Sequence, residues 1–121
     1  NKRVQVFALD GRFVRSFGEG ELTSPSAFAT AGELLVVAEL EARLVVFDEH
    51  DEVVQVLGAD EGVIDRPGWP NALDDAGKPT APPLVSGRFN APHGLAVDAD
   101  GRIVVSEWQI GGRLVTLCRG E

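Results

Sequence analysis

RVQVFALDGRFVRSFG, residues 3–18, returns forty residues later as RLVVFDEHDEVVQVLG, residues 43–58. At that constant offset Arg3 falls on Arg43, Val6 on Val46, Phe7 on Phe47, Val14 on Val54 and Gly18 on Gly58. A second pair of stretches, LVVAEL at 35–40 and IVVSEW at 103–108, supplies the other half of the same unit. Residues 3–7 alternate with period two, which reads as a strand with Val4 and Val6 on one face. Asp10-Gly11 and Asp100-Gly101 are hairpin signals, because a tight turn needs a residue that tolerates positive φ.

A period near forty with four short strands per unit is the sequence signature of a β-propeller blade, which cannot bury both its faces alone. The 121 residues hold about three such units, whereas closed propellers have about four to eight. The fold expected is therefore all-β: a partial propeller, an open arc of two to three blades, each a four-stranded antiparallel meander. Residues 1–20 supply the outer strands of a first blade, 24–58 a second blade, and 91–121 a third that lacks its fourth strand. Nine strands are expected in all: 3–7, 12–17, 27–30, 34–38, 43–47, 52–57, 94–98, 102–107 and 113–117. The chain opens inside a repeat unit, so a piece of a longer protein is expected.

Between the second and third blades lies an insertion, residues 59–90, with an excess of about 28 residues over the repeat. It carries Pro67, Pro70, Pro79, Pro82 and Pro83 together with Gly62, Gly68, Gly77 and Gly87, a composition that resists regular ladders. Trp69 argues against plain disorder, since an aromatic of that size is ordinarily there to be packed.

A meander places the start of its first strand, the end of its second and the start of its third at one end. In the third blade these are His93, Glu107-Trp108 and Arg113; in the second they are Ser26, Glu39-Leu40 and Arg43. The insertion, with Trp69, leads into the same rim. This rim is the candidate ligand surface, taking a small molecule or peptide over the channel mouth, and His93 is its candidate metal ligand. Glu39 with Arg43, and Glu107 with Arg113, are expected to pair across their own hairpins. Recurrence in both blades favours a scaffold role for those pairs over chemistry. His50 sits in a polar turn at the opposite end and faces solvent. Cys118, at the end of an apolar strand, reads as a small buried hydrophobe.

Several motifs carry no chemistry. Asp98-Ala99-Asp100-Gly101 opens like a calcium loop, but the remaining ligands are absent and a hairpin turn accounts for it. The stretch DDAGKP, residues 74–79, lacks the strand and helix of a phosphate-cradling loop. The net charge of −8, from 11 basic and 19 acidic residues with no basic cluster, leaves no nucleic-acid footprint. The apolar runs are too short for a membrane-spanning helix. A single cysteine permits no internal disulfide.

RVQVFALDGRFVRSFG resembles the second half of an NHL repeat, and FNAPHGLAVDADGRIVVSEWQIGGRLVTL, residues 89–117, resembles a nearly whole one. The resemblance implies a six-bladed propeller of which this chain is about half. The insertion and the Pro92-His93-Gly94 step resemble bacterial NHL proteins similar to peptidyl-α-hydroxyglycine α-amidating lyase. In that family a channel zinc is held by histidines in Pro-His steps on separate blades, and His93 matches one such position. The family's catalytic tyrosine cannot be carried over, because the chain contains no Tyr. Two functions follow: a ligand- or protein-binding scaffold with no self-sufficient active site, or part of a metal-dependent lyase-like or lactonase-like enzyme using zinc or calcium. The resemblance implies an extracytoplasmic or secreted setting. The chain's open strand edges imply self-association.

Overall fold

A computed structural model describes residues 1–120. The chain is all-β, built of four small antiparallel sheets, none of them closed. The first sheet pairs β1 (Val4–Phe7) with β2 (Phe13–Phe17). The second is a meander of β3 (Pro25–Ala31), β4 (Leu34–Glu39), β5 (Arg43–Phe47) and β6 (Val53–Leu57). A two-residue ladder, β7 (Ala72–Leu73) with β8 (Pro79–Thr80), forms the third. The fourth sheet is β9 (Pro92–Val97), β10 (Ile103–Glu107) and β11 (Arg113–Leu117). No helix among the described residues is long and apolar enough to cross a membrane.

The count is eleven strands rather than nine, and both extra strands lie in the insertion, where proline was expected to prevent ladders. A 3-10 turn at Val63–Asp65 precedes them. The ladder survives because its prolines sit outside the donor positions: Pro79 pairs with Leu73 at the end of a two-residue strand. The inner strands also begin earlier than expected, at Pro25 and Pro92, each beside a register shift. His93 is thus inside β9.

The three larger sheets stack face to face, with the β3–β6 meander in the middle. Its LLVVA and RLVVF runs are apolar at every position because both faces are covered. Val37, Val45 and Phe47 pack with Val4 and Phe17 of the first sheet. Val36, Ala38, Leu44 and Val46 pack with Leu95, Ile103, Val105 and Val115 of the last sheet. Each fully buried side chain of this size contributes about 1.5–3 kcal/mol.

Leu44 and Leu114 occupy the same place in successive sheets, just after the glutamate-arginine corner. Leu44 is 0% exposed and Leu114 is 75% exposed. One lies under the next sheet; the other has none above it.

Four hairpins share one turn. The first residue's N–H reaches the fifth residue's carbonyl at 2.8–2.9 Å in Ala8–Arg12, Asp48–Glu52, Asp74–Lys78 and Asp98–Arg102. The fourth residue is left-handed in each, namely Gly11, Asp51, Gly77 and Gly101. In the last three, the opening aspartate's Oδ1 accepts the N–H groups of the third and fifth residues at 2.8–3.0 Å. DDAGK is therefore a hairpin turn of the same kind as DADGR, and Asp98 and Asp100 serve the turn.

Candidate functional site

The glutamate-arginine pairs form the centre of a structure that is built twice. Register sets it up: Glu39 pairs with Arg43 across β4–β5, and Glu107 with Arg113 across β10–β11. Glu39 Oε2 takes Arg43 Nε at 2.5 Å, while Oε1 accepts the N–H groups of Thr23 and Ser24 at 2.5 and 3.1 Å. Arg43 Nη2 then donates to the Glu21 carbonyl at 2.6 Å. In the last sheet Glu107 Oε2 takes Arg113 Nε at 2.7 Å, and Oε1 accepts Asn90 and Ala91 N–H at 2.5 and 3.1 Å. Arg113 Nη2 donates to the Arg88 carbonyl.

These clasps tie the loop entering each sheet to that sheet's central corner. Both glutamate side chains are fully buried. A carboxylate holding two backbone donors and a guanidinium has its acceptor capacity committed, which is what makes such burial tolerable. Glu39, Arg43, Glu107 and Arg113 therefore stand together on the rim as expected, with their charged groups turned to the scaffold.

Below each clasp a large side chain closes over a glycine of the preceding sheet. Leu22 N–H bonds the Gly18 carbonyl at 3.0 Å, and Phe89 N–H bonds the Gly58 carbonyl at 2.9 Å. Both side chains are buried. A Cβ on Gly18 would lie 2.9 Å from Leu22, and one on Gly58 only 2.5 Å from the Phe89 ring.

The inner strands meet through Ser26, whose Oγ donates to the Ala38 carbonyl at 3.1 Å and to the Pro92 carbonyl of β9 at 2.8 Å. His93 holds the same position one sheet later. It is exposed, with its ring centroid 6.2 Å from that of Trp108 and the planes tilted by 46°. Trp108 is 59% exposed and stands where Leu40 stands in the second sheet. These two rings are the part of the rim free to meet a ligand.

Trp69 is half-buried, and its Nε1 donates to the Asn90 carbonyl at 3.1 Å. Asn90, missed in reading the sequence, is the hub of the insertion. Its Oδ1 accepts Arg66 Nη2 at 2.8 Å, and its Nδ2 reaches Pro70 O and Gln109 Oε1, both at 2.7 Å. Asn71 Oδ1 adds a bond from Ile110 N–H at 2.7 Å. A signal was available: aligning LTSPSA (22–27) with FNAPHG (89–94) puts Asn90 on Thr23, at the clasp.

Cys118 is exposed rather than buried, because it follows the end of β11 and no element covers it. His50 is exposed, as its turn implies. Among the described residues no group of three His, Cys, Asp or Glu side chains is placed to hold a metal ion. His93 brings one ligand and a tryptophan neighbour, so the residues present do not by themselves fit a zinc or calcium centre.

Charge is tuned at the opposite ends of the strands. Arg15 forks onto Asp51 with Nε–Oδ2 at 2.6 Å and Nη2–Oδ1 at 3.1 Å, joining the first sheet to the β5–β6 turn. That bond holds the Asp51 carboxyl below its ordinary range and raises the Arg15 guanidinium. Asp98 is likewise held low, first by the Arg102 backbone N–H and then by the Arg102 side chain.

No family model and no curated protein matches this chain.

Proposed function

We propose that the chain is part of an NHL-type β-propeller acting as a scaffold for a small molecule or peptide, bound on the rim that carries His93 and Trp108. One observation carries this reading. The same buried clasp is built in two stacked sheets whose inner strands are joined by the Ser26–Pro92 bond, which is how successive blades would sit around a channel. The exposed flank at Leu114 supports it further, because the matching flank at Leu44 is where the next sheet packs. The lyase-like reading asks for about three protein ligands to a channel metal, and this chain supplies one in His93.

Two measurements test the proposal. Light scattering should find the isolated chain associating through the free edges of β1 and β11; a clean monomer at high concentration contradicts the open-arc reading. A fragment library screened by ligand-detected NMR should yield binders that are lost in a His93→Ala, Trp108→Ala double variant with an unchanged melting temperature. Binders indifferent to both substitutions would place the ligand elsewhere.

A further inference from the structure

The clasp of the last sheet is roofed by the chain's own insertion, whereas the clasp of the second sheet is not. At the roofed copy Arg113 Nη1 donates to the Val85 carbonyl at 3.2 Å, and Arg66 lies on Asn90 Oδ1 at 2.8 Å. With Trp69 on the Asn90 carbonyl, these segments leave a space of only about 50 Å³. Asn90, Gln109 and Arg113 correspond to Thr23, Glu41 and Arg43 in the second sheet.

There the same notch stands open, about 440 Å³ in volume, and Asp60, Glu61 and Ile64 complete its wall. Thr23 Oγ1 is the one buried side-chain N or O atom without a hydrogen-bond partner among the described residues. Arg43 uses Nε on Glu39 and Nη2 on the Glu21 carbonyl. Its Nη1, the counterpart of the atom that holds Val85, has no acceptor among the described residues. His93 and Trp108 do not line this notch.

We propose that the open notch binds an extended peptide segment of a partner protein carrying an arginine. The segment would be seated as residues 66–71 and 83–85 seat themselves on the last sheet. The arginine donates to Thr23 Oγ1, where Arg66 donates to Asn90. A peptide carbonyl accepts from Arg43 Nη1, where Val85 accepts from Arg113. Glu41 replaces the neutral Gln109, and Asp60 and Glu61 flank it, so the open copy attracts a guanidinium more strongly than the roofed one. The net charge of −8 steers a basic segment toward this surface.

The probe is a fluorescein-labelled peptide copying residues 63–71, VIDRPGWPN, titrated into the whole chain by anisotropy and followed by amide NMR. Saturable, salt-sensitive binding is expected, with shifts at Thr23, Glu41 and residues 60–64. Thr23→Val and Glu41→Gln should each weaken binding about tenfold, the worth of one hydrogen bond to a charged group. Thr23→Val removes a hydroxyl that bonds nothing, so its melting temperature should not fall, and lost binding is then not lost folding. A peptide with alanine in place of its arginine should not bind. The proposal is overturned by no saturable binding at millimolar peptide, by binding indifferent to both variants, or by shifts centred on Asn90 and Gln109. The last result would mean that the peptide only displaces the resident insertion.

Discussion

Gly18 reaches Pro25 in seven steps, and Gly58 reaches Pro92 in thirty-four, yet both paths end in the same clasp. Leu22 and Phe89 hang from the two glycine carbonyls, and Glu39 and Glu107 collect the next two amides. The longer path carries 27 more residues without altering either anchor. Its ends are stapled at Gly58 and Glu107, and the closure entropy of a loop grows only slowly with its length. What lies between folds on its own terms: a 3-10 turn, a short hairpin, and a hub at Asn90. The clasp is thus the invariant of this architecture, and the loop length is free.

If that is right, the clasp glutamates give the largest effects. Glu39→Ala and Glu107→Ala should each destabilise the chain by about 3–5 kcal/mol, because each strands a partly buried arginine and two backbone donors. Urea unfolding of both variants checks this. Equal losses support equivalence, and a loss at one site alone breaks the comparison. Next come the glycines. Gly58→Ala should cost about 2–3 kcal/mol and Gly18→Ala about 1–2. Both are left-handed, but the packed Phe89 ring can give way less than the tip of Leu22.

Trp69→Ala separates the insertion from the clasp it spans. A half-buried tryptophan with one hydrogen bond should cost about 2 kcal/mol, below the range for a fully buried one. Limited proteolysis should then cut between Gly62 and Gly87 while the sheets stay intact. Rapid cleavage of the wild-type chain at the same place would show instead that the Asn90 hub does not hold the loop.

The strands and the clasp pairs were legible because their partners are neighbours. Glu39 and Arg43 face each other across one hairpin, and the repeat displays the pair twice. The amides that complete the clasp were not legible, since Thr23 and Asn90 lie 16 and 17 residues before their glutamates and donate from the backbone, which any sequence supplies. The insertion was misjudged for the same reason. Arg66 meets Asn90 and Asn71 meets Ile110, contacts with no local periodicity. Asp74-Asp75-Ala76-Gly77-Lys78 could have been recognised from its likeness to Asp98–Arg102, had the surrounding prolines not weighed against a hairpin.

The smallest effect concerns those turns. Asp98 has a carboxyl held below its ordinary value, chiefly by the Arg102 backbone N–H, so its ionised form is favoured in the folded chain. A lowered folded value means that the turn's contribution is complete above the unfolded aspartate value of about 4 and is lost as pH falls through the folded value. The stability difference between wild type and Asp98→Asn should therefore be flat from neutral pH down to about 5 and shrink below it. Asp51 follows the same sign, but its first cause is the Arg15 side chain rather than a backbone donor. Added salt screens an exposed ion pair more than a backbone hydrogen bond, so the Asp51→Asn difference should fall with salt while the Asp98→Asn difference holds. Acid titrations of both variants at low and high salt decide it. A difference that grows as pH falls, or equal salt sensitivity at both sites, would mean that the two aspartates are not held by the distinct contacts described.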